Sequence, residues 1–181
     1  FKRVINTGFG ITGVYAQLDD VTTDNSEAVA ELQWRMPAGD GAAISGDSVV
    51  FSVKASQNSG DDMDAYVTLY KCLTEEDYGS LVSVAASTPV TLSSGAATDL
   101  ELAVENPGDV STGVAVVVTF DCGIVTNTNF IAGEAQLERG QNATTFEDRP
   151  QYIDEAAWSE EDLVGVGELK WFPATSAPPG T

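Results

Sequence analysis

Apolar and polar residues alternate along much of the chain, in short runs separated by clusters of Gly, Asn, Asp and Ser. Val49, Phe51 and Val53 fall on one side of an extended segment, while Ser52 and Lys54 fall on the other. This period of two is typical of a strand with one buried face. The same reasoning gives candidate strands at residues 1–6, 13–18, 28–35, 48–55, 65–71, 82–88, 99–105, 114–121 and 130–138. Many short strands predict an all-β fold of two packed antiparallel sheets, a β-sandwich.

One strand and several turns refine this prediction. Residues 114–118 are apolar throughout, which indicates a central strand covered on both faces. Turns are predicted at residues 37–41, 58–62, 93–96 and 106–109, where Gly, Pro, Asn, Asp and Ser cluster.

The composition changes after residue 150. Ser159 followed by three acidic residues resembles a helix N-cap with acids in the first turn, and it predicts a short C-terminal helix that starts there or near Asp154. Residues 173–181 are rich in Pro, Ser and Ala and are expected to form an extended, poorly ordered tail.

The charge excludes one large class of partners. The 181 residues include 28 acidic and 8 basic side chains, a formal net charge of −20. Nucleic acid is therefore excluded as a partner, because phosphate binding depends on clustered Lys and Arg. We interpret the acidity as solubilising. Since no apolar run approaches the roughly 20 residues that span a bilayer, no membrane insertion is expected.

Catalytic chemistry has little support in the sequence. The chain contains no histidine, which excludes Ser-His-Asp and Cys-His nucleophilic sites and histidine metal triads. A carboxylate pair could hydrolyse a glycosidic bond, but no pair among the 28 acids is distinguished. We therefore predict that the protein is not an enzyme. Cys72 and Cys122 could pair or remain buried free thiols, and assembly in a cytoplasm would favour the latter.

Two groups of residues are candidates for ligand binding. Asp61, Asp62 and Asp64 offer oxygen ligands for a structural Ca²⁺, although a solvated acidic turn is the preferred interpretation, and no other cofactor is expected. Sugar binding by a β-sandwich uses exposed aromatic rings. The candidates are Tyr15, Tyr66 and Tyr78, with Tyr78 expected in an exposed turn and with Trp34 and Tyr70 expected in the core.

Residues 133–150 read GEAQLERGQNATTFEDRP, a segment that predicts a strand, a turn at Gly140 and a return of Phe146 into the core. The segment resembles the closing signature of a domain found in phage tail-fibre and receptor-binding proteins. The matching residues are Ala135, Gln136, Leu137, Glu138, Gly140, Ala143, Thr144, Phe146, Glu147, Arg149 and Pro150. Residues 167–180, GELKWFPATSAPPG, resemble the opening of the phage tail collar domain.

The resemblance implies a domain organisation and an assembly. Residues 1–150 would form a jelly-roll-like β-sandwich similar to carbohydrate-binding modules, without the family's first strand. Residues 151–166 would be a linker with the short helix, and residues 167–181 a stub of a collar domain. Proteins of this kind are homotrimers, which implies a subunit interface at Trp158, Leu163, Trp171 and Phe172.

The resemblance also implies a function, with two alternatives. The first hypothesis is a non-enzymatic structural and adhesive segment of a phage tail fibre, located in the virion and assembled in the host cytoplasm. Its partners would be its own copies, other phage tail proteins and a host-surface glycan. The alternatives are a secreted monomeric carbohydrate-binding module and a purely architectural neck or baseplate domain.

Overall fold

The computed structural model describes residues 2–3, 11 and 14–146. Its elements are β1 (Lys2–Arg3), β2 (Val14–Val21), β3 (Val29–Met36), α1 (Ala38–Ile44), β4 (Val49–Gln57), β5 (Met63–Cys72), β6 (Leu81–Ala86), β7 (Val90–Leu92), β8 (Thr98–Val104), β9 (Val114–Asp121) and β10 (Thr128–Arg139). The chain divides into two units, Phe1–Asp148 and Arg149–Thr181. The predicted C-terminal helix, tail and collar-like stub lie outside the described residues.

Two antiparallel sheets form the described unit. Sheet 1 has the strand order β1-β2-β10-β4-β8, and sheet 2 has the order β3-β9-β5-β6, with β7 also paired to β5. From β2 to β5, and again from β7 to β10, the chain passes alternately between the two sheets. The predicted all-β, jelly-roll-like antiparallel sandwich is thereby confirmed.

The core lies between the inner faces of the two sheets. Phe120 of β9 contacts Phe130 of β10 with ring centroids 5.0 Å apart, and Trp34 of β3 contacts Phe51 of β4 at 6.0 Å. Tilted aromatic pairs at these distances contribute roughly 0.5–1.5 kcal/mol beyond the area that they bury. The predicted core position of Trp34 is confirmed, because the side chain packs against the main hydrophobic cluster.

Strand β9 is buried on both faces, as its continuous apolar pattern predicts. All of its residues are buried except the last, Asp121. Cys72 ends the neighbouring strand β5, and Cys122 directly follows β9. Both are free, buried thiols, which confirms the unpaired interpretation. Burial raises the pKa of both Cys72 and Cys122.

Two short elements were not predicted. A helix, α1, occupies the segment predicted as a turn at 37–41, and β7 forms an additional strand after β6. Helix α1 is stabilised by long-range contacts: the Val110 amide donates to Ser45 Oγ at 3.1 Å, and the Gly46 amide donates to the Gly108 carbonyl at 3.0 Å. These partners lie more than sixty residues away in the chain, so local turn chemistry did not indicate them.

The segment after Gly133 confirms two of its three predicted parts. Gln136 Nε2 donates to Thr144 Oγ1 at 3.0 Å, and the Thr144 amide and hydroxyl donate to the Glu138 carboxylate at 2.8 and 2.6 Å. The strand and the turn at Gly140 are present, with the Gly140 amide donating to the Ser48 carbonyl at 2.8 Å. Phe146 is half-buried, and its predicted return into the core stays a prediction.

None of the helices in residues 14–146 combines the length and the apolar character that a membrane crossing requires.

Candidate functional site

The outward side of sheet 2 carries two half-exposed aromatic residues, Tyr66 and Tyr70 of β5. Val67 and Leu69 of β5 lie in the core between the sheets. Since side chains alternate along a strand, Tyr66, Thr68 and Tyr70 point outwards. Both tyrosines are half-exposed, and four residues of strand separate them by about 13 Å.

Strand pairing brings polar residues of β3 to the same surface. Tyr66, Thr68 and Tyr70 pair with Thr119, Val117 and Ala115 of β9, which pair in turn with Glu31, Gln33 and Arg35 of β3. These nine residues are called the tyrosine face below. Direct contacts support their common orientation: Thr119 Oγ1 donates to Glu31 Oε1 at 3.4 Å, and Arg35 Nε and Nη2 donate to Gln33 Oε1 at 3.2 and 3.1 Å.

The middle of the tyrosine face consists of buried residues, and its two sides carry longer, more exposed side chains. Ala115, Val117 and Thr119 are at most 5% exposed. The tyrosines of β5 lie on one side of them and the polar residues of β3 on the other, about 10 Å across two strand spacings. This arrangement combines flat aromatic rings with hydrogen-bond donors and acceptors along one elongated surface.

Tyr78 closes one end of the tyrosine face. It lies in the loop between β5 and β6, where its hydroxyl donates to the Met36 carbonyl at 2.7 Å. The Arg35 guanidinium carbon lies 5.1 Å from the centre of its ring, a cation–π distance. Glu76 fastens the same loop by accepting a hydrogen bond from the Ala38 amide at 3.1 Å. Arg35 is therefore held in place by Gln33 on one side and Tyr78 on the other.

The opposite end of sheet 2 is acidic. Asp64 and Asp121 are direct cross-strand neighbours, and both are exposed. Thr91 Oγ1 donates to Asp64 at 2.8 Å. Asp64 precedes Tyr66 by two residues on the same side of β5, a separation of about 7 Å.

The three tyrosines predicted from the sequence occupy different environments. Tyr66 belongs to the tyrosine face, and Tyr78 lies half-buried at its end rather than in a fully exposed turn. Tyr15 is 5% exposed and packs with Ile11 and Ile131 outside sheet 1, so the expectation of an exposed ring there is wrong. Tyr70, predicted as core, points outwards instead. Its four-residue spacing from Tyr66 was the signal, since residues an even number apart share a side of a strand.

Asp61, Asp62 and Asp64 were candidate Ca²⁺ ligands, with a solvated acidic turn as the preferred interpretation, and a structural Ca²⁺ stays untested. Within residues 2–3, 11 and 14–146, no three carboxylate or thiol side chains are grouped so as to hold a metal ion. Asp61 and Asp62 are exposed in the turn before β5, whereas Asp64 already belongs to that strand and accepts from Thr91. The predicted subunit interface at Trp158, Leu163, Trp171 and Phe172 lies outside the described residues and stays a prediction.

Comparison of the whole chain with known proteins gives matches among solved structures. No protein-family model matches the chain, and no curated protein sequence matches it. Among solved structures, the chain is similar to a CBM4 structure at 15% identity and TM-score 0.44, over 70% of this chain and 71% of that one. It is also similar to the C-terminal domain of EclA, described as a sugar-binding protein, at 14% identity and TM-score 0.43, over 72% and 82%. A family 16 carbohydrate-binding module matches at 10% identity and TM-score 0.39, over 64% and 73%.

Proposed function

We propose that the protein is a non-catalytic glycan-binding module and that the tyrosine face is its binding surface. The observation that carries the proposal is the placement of Tyr66 and Tyr70 on the outward side of one strand. Their half-exposed rings lie about 10 Å across the sheet from a row of hydrogen-bonding side chains on β3. A sugar ring has an apolar face and a polar rim, which matches an aromatic ring beside donors and acceptors.

The polar row supplies the groups that would orient a sugar. Arg35 retains N–H donors beyond the two that bond Gln33, because a guanidinium carries five. Since Gln33 and Tyr78 already hold Arg35, little side-chain entropy is lost when it binds a hydroxyl group. The absence of histidine from the whole chain favours binding without catalysis.

A binding screen with paired variants tests the proposal. We expect the purified chain to bind members of a glycan array, and Tyr66→Ala and Tyr70→Ala each to weaken that binding roughly tenfold. Tyr66→Phe and Tyr70→Phe keep the ring and should retain most of the affinity. Glu101→Ala, an exposed change on β8 of sheet 1, is the control for substitutions on a strand. Unchanged binding by both alanine variants, at unchanged melting temperature, would place the site elsewhere.

We further propose that this module belongs to a phage tail fibre or tail appendage, in which it would bind a host-surface glycan. The resemblances of residues 133–150 and 167–180 support this context. In a trimeric fibre, three copies of the tyrosine face would combine weak contacts into avidity. The secreted monomeric module remains the alternative, and it shares the same binding surface, so the solution mass separates the two.

A further inference from the structure

Acidic residues cluster at one end of the tyrosine face. Glu31 lies on the face itself, and the exposed cross-strand pair Asp64 and Asp121 lies beyond Tyr66. These negative charges lie close together, so this end of the face has a negative potential. Asp64 and Asp121 also repel each other, because they are directly opposite on neighbouring strands. Asp121 also lines a surface depression together with Asp61 and Asp62.

Compensating cations are scarce on this side of the sandwich. In the described residues of β3, β5 and β9, the cations are Arg35 and Lys71. Lys71 Nζ lies 3.5 Å from the Asp109 carbonyl, at the end of its strand remote from Asp64. On sheet 1, Lys54 pairs with Glu134 at 2.7 Å and Arg139 with Asp47 at 3.4 Å.

We infer that the tyrosine face selects neutral glycans and rejects polyanionic ones, an inference that rests on the proposed function. Tyr66, on which the sugar would stack, lies about 7 Å from Asp64 along β5, within the Debye length of about 8 Å at physiological ionic strength. A carboxylate or sulfate carried by that sugar is therefore repelled. A ligand that contacts both tyrosines spans about 13 Å and cannot stay at the Arg35 end alone. The net charge of −20 adds repulsion during the encounter.

The test compares matched neutral and anionic polysaccharides. Affinity electrophoresis of the full chain uses hydroxyethyl cellulose, dextran and mannan against carboxymethyl cellulose, dextran sulfate and alginate. At 0.15 M salt we expect the neutral members to bind more tightly by on the order of tenfold. At 1 M salt, where the Debye length falls to about 3 Å, this difference should shrink while neutral binding changes little.

A charge-neutralised variant locates the origin of the selectivity. Asp64→Asn combined with Asp121→Asn should raise affinity for the anionic member of a pair severalfold and leave the neutral member within about twofold. The control is Asp99→Asn combined with Glu101→Gln, which removes the same charge from β8 of sheet 1. The control should change the ratio of anionic to neutral affinity much less, because it alters the net charge equally but far from the tyrosine face.

The outcomes separate the inference from the proposed function. Anionic binding as tight as neutral binding at 0.15 M salt, dependent on Tyr66 and Tyr70, would overturn the selectivity and leave sugar binding intact. An equal response of the two double variants would also overturn it, since the local potential would then be irrelevant. Binding to no polysaccharide would contradict the proposed function and the inference together.

Discussion

Gly41 occupies the most crowded position of α1, and its replacement by alanine should destabilise the sandwich. A Cβ at this position would lie 2.3 Å from the Val110 carbonyl oxygen, where contacts below 3.0 Å are essentially never seen. Backbone atoms of Gly113 lie 3.4 Å away and limit any sideways movement. Because the obstructing atoms belong to backbone, the helix or the loop at Val110 has to shift.

The size of the effect follows from three contributions. Overpacking of a buried site costs about 1–3 kcal/mol. The shift also strains the bonds from Ser45 Oγ to the Gly41 carbonyl and from the Val110 amide to Ser45 Oγ, each worth about 1 kcal/mol. In the opposite direction, replacing a helical glycine by alanine stabilises the helix by about 0.5–1 kcal/mol. We expect a net loss of about 2 kcal/mol, which lowers the melting temperature by about 4–8 °C for a domain of this size.

Gly39 provides a control in the same helix. It is exposed, and a Cβ there would meet nothing within 4 Å. Gly39→Ala should therefore stabilise the protein by up to about 1 kcal/mol. Urea unfolding and thermal unfolding, both followed by circular dichroism, measure the two variants against the parent chain. A Gly41→Ala protein as stable as the parent, or two variants that shift in the same direction, would refute the close packing of α1 against Val110.

Two further predictions concern charge and assembly. The hydrogen bond from Lys54 to Glu134 raises the pKa of Lys54 above its ordinary value of 10.5, so this contribution to stability is fully present below about pH 10.5 and is lost as the pH rises through the folded-state pKa. The difference in urea-unfolding free energy between the parent and Lys54→Gln should accordingly stay constant up to about pH 10.5 and shrink at higher pH; a difference independent of pH would contradict the pairing. If the chain is a fibre segment, light scattering after size-exclusion chromatography should give about three times 19.0 kDa, whereas a mass of 19.0 kDa would favour the monomeric module.

Strand periodicity was sufficient to predict the sandwich, because most strands carry one buried and one polar side. The predicted strand at 114–121 has the bounds of β9. The pattern could not assign Tyr70, since an aromatic residue in a strand suits either side and only the neighbouring strands decide which side is covered. Nor could it place Arg35 beside Tyr78, because these residues meet through sheet pairing and a loop contact rather than through local sequence.

The surroundings of single residues were harder still to predict. Tyr15 shares the alternating pattern of an exposed strand residue, but Ile11 and Ile131 cover it on the outward side of sheet 1. Helix α1 depends on the close approach of Gly41 to Val110, which local turn propensities do not contain. Asp61, Asp62 and Asp64 are close in sequence, yet they belong to different elements. Asp61 and Asp62 lie in a turn, whereas Asp64 lies in the strand that starts at Met63.

The position of β10 between β2 and β4 has a consequence for how the chain folds. Phe130 pairs with Leu18 on one side and with Gln57 on the other, so β2 and β4 are not joined in sheet 1 until β10 pairs with both. Such non-local topologies fold slowly, because the chain loses the entropy of its long loops before the stabilising contacts form. During synthesis, the unpaired backbone edges of β2 and β4 stay open until residue 139 has left the ribosome. The nascent sandwich is thus most exposed to misassociation just before β10 pairs.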